Sequence, residues 1–383
     1  MKILIIADHF YPGHKAGGPI QSIYNLSRAI SDQVEIDIVS RDRDMGDKDA
    51  YSSITPNMWQ DLDFCSAFYM SPEKINPAQV GKVIKESNPD IIYLNSFFSV
   101  FTISTLLFCL FSARAKKILL APRGEFYDSA YGSKNLKKSL YLKFFKSIIK
   151  GRLPISWQAT NKTESVLIKE MIGPKTKIYL LKNSGKTFQP SFLNVEKKVG
   201  ALRVITIGRI HPIKNIMFFA KLLKELEKKI TGFIQWDIYG FIEDENYAAK
   251  VLKELKDSKN VTLTLKGDVP NSELSRICMD YHLFVLPSFS ENFGHAISDA
   301  VLSGLPLLIS NNTPWRNLKN QGVGFDLPLE ADLWKEKVNF FLNLNNKELQ
   351  DYKQSAYNLG SKKIKEETAP QDFMNALDNI LVS

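Results

Sequence analysis

The chain has 383 residues with 44% apolar composition, which favours two domains with cores of ordinary size and excludes a disordered, collagenous or coiled-coil protein. Lys and Arg total 50 against 41 Asp and Glu, a formal charge of +9 that points to a polyanionic partner without choosing among a phosphate-bearing ligand, an anionic membrane and nucleic acid. Cys65, Cys109 and Cys278 have no metal-ligand spacing and read as reduced thiols of a cytoplasmic chain. In chain order, the apolar run after Met1-Lys2 reaches only to Asp8, too short for an export signal and well sized for a buried strand. Strands are predicted at 2–7, 34–39, 90–94, 117–121, 155–159 and 177–181, with helices between them. Pro19 suits the first turn of the helix carrying Ile20, Ile23, Tyr24, Ser27 and Ile30 on one face. The uncharged stretch 97–113, ending at Arg114, is just short of a membrane span. Lying between two strands, it reads as a crossover helix, with a membrane-dipping segment as the alternative.

The pattern restarts at 203–207, a strand that runs into Gly208 and then a helix at about 215–229. Strands at 234–239, 261–266, 283–286 and 307–310 follow, and the chain after Asp332 reads as helices. The polar stretch 183–202 is the predicted connection. Alternating strands and helices define a parallel α/β architecture. The expected domains are 1–185 and 186–365, with a last helix within 366–383 returning to the first. Two Rossmann-like domains facing a central cleft would bring the carboxyl ends of their strands to it.

The stretch from Leu286 to Pro306 carries the most chemistry. A strand ends at Pro287, Glu291 sits in a loop, and Gly294 opens a helix that Gly304 and Pro306 end. Backbone N–H groups of Asn292, Phe293, Gly294 and His295 would form a positive helix start that suits a phosphate. Glu291 and Asp299 could accept bonds from sugar hydroxyls on either side of it. Alone, this spacing is also that of an acidic cap with an ordinary helical Asp. The turn after 203–207 holds Gly208, Arg209 and Lys214, two cations suited to a diphosphate and to the charge that develops as a bond to it breaks.

Together these segments resemble the retaining nucleotide-sugar glycosyltransferases of family 4, of GT-B fold, over essentially the whole chain. The family's G-R-x-x-x-x-K turn is matched by Gly208, Arg209 and Lys214, and its P-S-x-x-E-x-F-G helix start by Pro287, Ser288, Glu291, Phe293 and Gly294. The resemblance implies that Arg209 and Lys214 hold the donor diphosphate, that Glu291 faces the transferred sugar, and that Asp299 stands where a Glu usually binds the ribose. Asp keeps that charge and loses one methylene of reach. The loop with His14, Gly17 and Gly18 is similar to the family's glycine-rich loop near donor phosphate and acceptor, and the absence of G-x-G-x-x-G argues against a dehydrogenase. Arg123, Gly124 and Glu125 lie where many members carry His-Gly near the reacting centre, and Asn95 follows a strand where some relatives carry histidines. Arg cannot serve as a base at neutral pH, so Arg123 is assigned an electrostatic or acceptor-binding role.

The resemblance further implies a UDP- or GDP-linked sugar donor, a glycan acceptor that is lipid-linked in surface polysaccharide assembly, and no cofactor or essential metal. Asp42-Arg-Asp44 and Asp61-Leu-Asp63 match a metal-binding triplet by letters alone, and the five histidines show no metal spacing. Between Lys116 and Arg152, ten basic residues face two acidic ones, Glu125 and Asp128. In the same segment Leu136, Leu140, Phe144, Phe145, Ile148 and Ile149 recur with helical period. A peripheral helix within 134–152 on an anionic inner membrane and a core helix with a solvated basic face both fit. No sequence signature supports nucleic acid. A GT-B epimerase or hydrolase and a catalytically silent sugar-nucleotide or partner-binding protein stay open, and the sequence leaves the oligomeric state undetermined.

Overall fold

The apolar runs pair as parallel strands in the computed structural model, which describes residues 1–112, 116–127, 136–186, 195–366 and 368–382. The chain divides into two units, Met1–Ser184 with Thr368–Ser383, and Gly185–Glu367.

The first unit runs β1 (Lys2–Ala7), α1 (Gly18–Ile30), β2 (Glu35–Arg41), β3 (Trp59–Leu62), β4 (Cys65–Met70), α2 (Pro77–Ser87), β5 (Ile91–Asn95) and α3 (Val100–Leu110). It continues with β6 (Lys117–Ala121), α4 (Leu136–Phe144), β7 (Ile155–Ala159), α5 (Lys162–Ile172) and β8 (Ile178–Leu180). Its sheet has the order β3-β4-β2-β1-β5-β6-β7-β8, parallel except for the β3/β4 pair. Both faces are covered. Leu4, Ile6, Ile92 and Leu94 pack with Phe97, Phe101 and Phe145 on one side, while Ile3, Ile5, Ile91 and Tyr93 pack on the other. Successive strand residues point to opposite faces, so burial on both sides explains why these strands read as unbroken apolar runs.

The second unit contains β9 (Ala201–Ile207), α6 (Ile216–Leu226), β10 (Phe233–Tyr239), α7 (Glu245–Leu255), β11 (Val261–Gly267), α8 (Asn271–Met279) and β12 (Leu283–Leu286). It ends with α9 (His295–Leu302), β13 (Leu307–Ser310), β14 (Gly324–Leu327), α10 (Ala331–Asn343) and α11 (Asn346–Lys365). Its sheet, β11-β10-β9-β12-β13-β14, is parallel throughout. The final helix α12 (Ala369–Val382) joins the first unit, burying Phe373, Leu377 and Ile380 against the sheet face that carries Ile3, Ile5, Ile38 and Tyr93, with the Phe373 ring 5.1 Å from that of Tyr93. Each such side chain contributes about 1.5–3 kcal/mol of apolar transfer.

Three elements depart from the sequence reading. The β3–β4 hairpin was not predicted, because Trp59-Gln-Asp-Leu62 alternates weakly and lies half-exposed at the sheet edge. Edge strand β14 was not predicted either, having only Phe325 and Leu327 as apolar signal. At Gly324 a Cβ would lie 1.9 Å from the Leu307 carbonyl oxygen, so glycine is what lets β14 pair there. The helix predicted over 215–229 stops at Leu226 and tightens into a 3₁₀ turn, Glu227–Lys229.

In the first sheet β1 lies between β2 and β5, and in the second β9 lies between β10 and β12. Helices α6 and α9, which follow β9 and β12, pack in different cores on opposite faces of the second sheet. Such a reversal of strand order leaves a crevice beyond the carboxyl ends of the strands, where ligands of open parallel sheets bind.

Candidate functional site

In the second unit the loops leaving β9 and β12 meet at that crevice. Gly208 takes φ 151°, Pro212–Lys214 forms a 3₁₀ turn, and Asn215 takes φ 52°. The positive φ at Gly208 is what favours glycine there, since a Cβ would meet the Lys214 stem only at ordinary contact distance, 3.4 Å from Cε. The Phe289 N–H donates to the Ile213 carbonyl at 2.9 Å, tying the two loops together. Ser310 Oγ donates to the Ser288 carbonyl at 2.5 Å, and Trp315 Nε1 donates to the Phe293 carbonyl at 2.9 Å. Gly294, φ 76°, is the N-cap of α9, which begins at His295, so the N–H groups of Asn292 and Phe293 precede the helix instead of belonging to its first turn.

On this frame Lys214 Nζ lies 2.6 Å from Glu291 Oε1, and the same oxygen accepts from Ser288 Oγ at 2.7 Å. The two charged side chains are only 17% and 11% exposed, where a charge–charge contact is stronger than on open surface. Arg209 Nη1 pairs with Glu243 at 2.6 Å in a more exposed setting. Asp299 is buried. Its carboxylate is held by Lys186 Nζ at 2.9 Å and accepts from Asn271 Nδ2 at 3.2 Å. The expected cations Arg209 and Lys214 are therefore each paired with a carboxylate. Sequence reasoning missed Lys186, Asn271 and Glu243; Lys186 stands in the polar connection, where nothing local marks it as a partner of Asp299.

In the first unit the loop after β1 is pinned by Asp44, whose Oδ2 accepts from the His14 and Lys15 N–H groups at 2.6 and 3.0 Å. Gly17, φ 70°, precedes α1, and Gly18 is the first residue of that helix. Asp42, the other acid of that triplet, is bound by Arg43 and Ser71. Arg123 has φ 55°, and its guanidinium donates to Asn95 Oδ1 at 2.7 and 2.9 Å, to the Tyr93 hydroxyl at 2.8 Å and to Asn183 Oδ1. Those acceptors are all neutral. Gly124 N–H donates to the buried Glu164 at 2.7 Å. Glu125 is tied into the turn after β5, accepting from Ser96 Oγ at 2.7 Å and from the Phe97 and Phe98 N–H groups at 2.5 and 3.2 Å, while burial pushes its carboxyl above the usual range. Its oxygens hold that turn.

Of the basic segment, Lys134 and Asp128 lie outside the described residues, as does Arg114 upstream of it. The single amphipathic pattern expected there divides in two. Phe145 and Ile149 are buried, whereas Leu136, Leu140 and Phe144 are 72%, 56% and 38% exposed. Among the described residues no helix is long and apolar enough to cross a membrane, and no group of three or more His, Cys, Asp or Glu is placed to hold a metal.

Two mainly parallel sheets, each with charged or polar groups at its strand-order reversal, are the architecture of the GT-B fold. Residues 189–359 match the family described as glycosyl transferases group 1. A solved structure of sucrose-phosphate synthase from Thermosynechococcus elongatus superposes with a TM-score of 0.72 at 14% identity, covering 100% of this chain and 99% of that one. A pneumococcal protein, the UDP-N-acetylglucosamine–peptide N-acetylglucosaminyltransferase GtfA subunit of Streptococcus pneumoniae, is 27% identical over 138 residues, 35% of this chain and 26% of its own length. The Escherichia coli UDP-Gal:alpha-D-GlcNAc-diphosphoundecaprenol alpha-1,3-galactosyltransferase is 28% identical over 188 residues, 44% of this chain and 46% of its own length. The matches thus span between a quarter and a half of these curated relatives. The chain has the GT-B fold, and residues 189–359, within its second unit, match the glycosyl transferases group 1 domain.

Proposed function

We propose that the chain is a retaining glycosyltransferase that moves a hexose-type sugar from a nucleoside diphosphate donor to a glycan acceptor, lipid-linked, in surface polysaccharide assembly on the cytoplasmic face of the membrane. The observation that carries this reading is the Lys214–Glu291 pair at the strand-order reversal of the glycosyl transferases group 1 domain. Donor phosphate competes with Glu291 for Lys214 and with Glu243 for Arg209. Glu291, so released, faces the transferred sugar. The N–H groups of Asn292, Phe293 and Gly294 serve the phosphate, and Gly208, Gly17 and Gly18 let backbone approach it. Asp299 takes the ribose hydroxyls, with Lys186 and Asn271 fixing its carboxylate. His14, Asn95, Arg123 and Gly124 serve the acceptor side, where Arg123 brings a charge whose described acceptors are neutral. Glu125 positions the turn beside them.

In this reading the bond from the sugar C1 to the phosphate oxygen breaks, the acceptor oxygen bonds C1 on the same face, and its proton passes to the departing phosphate. Arg209 and Lys214 supply the stabilisation of the leaving charge, so no metal is required. The exposed Leu136, Leu140 and Phe144, bordered by Lys137, Lys143 and Lys146, would rest on an anionic membrane face near a lipid-linked acceptor.

The test is thermal stability against UDP, GDP, ADP and CMP, each with EDTA and with magnesium. A bound nucleotide raises the melting temperature, so a selective shift that survives EDTA is the expected result. No shift with any of them, in a chain that melts cooperatively, would replace the transferase by a silent scaffold.

A further inference from the structure

A cavity of about 390 Å³ opens at the amino ends of β6, β7 and β8. These strands are parallel, so the cavity lies at the sheet edge opposite Asn95 and Arg123, a strand length of roughly 13 Å or more away. Its volume falls in the range of small-molecule sites, about 300–1,000 Å³. Lys117, Lys150, Lys175 and Lys177 line it, and no Asp or Glu does. Among the described residues none of these four lysines has an ion pair. Phe145, Trp157, Ile172 and Ile380, all buried, give it an apolar floor.

Lys150 is built into place. Its Nζ donates to the carbonyl of Ile172, the last residue of α5, at 2.6 Å. Gly173 follows with φ 137°, and a Cβ there would lie 2.5 Å from that Nζ, so glycine keeps the approach open. An ammonium has three donors, and one described acceptor leaves two for a ligand. Four lysines at one concavity with no acid in its lining favour an anion, although Lys177 Nζ also lies 5.4 Å from the Tyr179 ring centroid, and the floor beneath them favours hydrocarbon. The two demands together select an amphipathic anion. The segment that supplies Phe145 and Lys150 also turns Leu136, Leu140 and Phe144 outward at i, i+4 and i+8 among exposed lysines, which places the hydrocarbon source in a lipid surface.

We propose that this cavity binds the phosphodiester headgroup of an anionic phospholipid, its phosphate among Lys117, Lys150, Lys175 and Lys177 and its first methylenes on the Phe145–Trp157 floor. The proposal rests on the membrane part of the proposed function and adds a specific lipid site distant from the candidate transfer residues.

The probe is dihexanoylphosphatidylglycerol below its micelle concentration, titrated calorimetrically into the full chain. Saturable binding is expected, weakened at least tenfold in the double variant Lys175→Glu, Lys177→Glu, with circular dichroism and melting temperature unchanged. Milder Lys177→Gln should give a smaller loss of the same sign. Absence of saturable binding, an unchanged affinity in the double variant, or equally tight binding of inorganic phosphate would each overturn the lipid site. Flotation with phosphatidylcholine vesicles, with and without phosphatidylglycerol, separates the two readings. Short-chain lipid binding without vesicle binding removes the membrane reading and keeps the cavity. Vesicle binding that Leu140→Ser, Phe144→Ser abolishes and Lys175→Glu, Lys177→Glu leaves intact keeps the membrane and removes the cavity.

Discussion

The Lys214 ammonium lies 2.6 Å from the Glu291 carboxylate and joins the loops that leave β9 and β12. Removing the cation leaves Glu291 with Ser288 as its donor and takes away a fixed charge from the departing phosphate. Lys214→Ala should keep the fold and lose about 10²- to 10³-fold in turnover, the range for deleting one charge-stabilising donor. Steady-state transfer from the donor identified by thermal shift checks this, and unchanged turnover would remove Lys214 from the mechanism.

Asp299 is held by both Lys186 and Asn271, so its charge matters beyond its own contact with a ligand. Asp299→Asn should weaken nucleoside diphosphate binding about tenfold, equivalent to about 1.4 kcal/mol, by losing a charged acceptor and leaving Lys186 without its counter-ion. Calorimetric titration reads the effect. Equal affinity for variant and wild type would mean that Asp299 does not bind ligand.

Burial pushes the His282 imidazole down to about 3, and its Nδ1 accepts from the Arg203 N–H at 3.0 Å, as only a neutral ring can. The unfolded ring titrates near 6.5, so between about 6.5 and 3 the unfolded chain binds the extra proton. Stability contributed by His282 is thus complete above the unfolded value and falls as pH drops through that window, by up to about 1.4 kcal/mol per pH unit. Denaturant unfolding from pH 7 to 4 should show this slope, and His282→Gln should flatten it.

Lys353 on α11 is fully buried, and its Nζ has no hydrogen-bond partner among the described residues. Burial brings its ammonium down to about 8 from 10.5, so the native state sheds the proton first and gains relative stability as pH rises from about 8 to 10.5. Lys353→Met keeps the volume and removes the charge, and should stabilise the second unit by about 1–4 kcal/mol at pH 7, an advantage that shrinks towards pH 10. A melting temperature at or below wild type at pH 7 would mean that Lys353 has a partner that matters.

Residues close in sequence were enough to locate most of the strands and the chemistry at their ends. The run from Ile3 to Ala7 is apolar on both faces, and such a strand admits few arrangements besides the interior of a covered parallel sheet. Gly208 and Gly294 mark turns at which the backbone takes φ 151° and 76°, and the charged residues near them stand close to strand ends because these turns are short. Where the local pattern was thin, as in Trp59–Leu62 and Gly324–Leu327, the strands were missed. Edge strands draw their hydrogen bonds from a neighbour more than from their own periodicity.

The sequence by itself determined the alternation of strands and helices, the turns that expose Arg209, Lys214, Glu291 and Arg123, and the excess of positive charge. Only the tertiary structure decided which of these groups meet. Lys214 finds Glu291 across 77 residues, Lys186 finds Asp299, α12 closes a core begun at β1, and four lysines gather around one cavity whose floor includes Trp157 and Ile380. Local signals arise from backbone conformations and side chains a few residues apart. Partners at long separation are chosen by the order in which strands pair, and strand pairing is a property of the whole sheet.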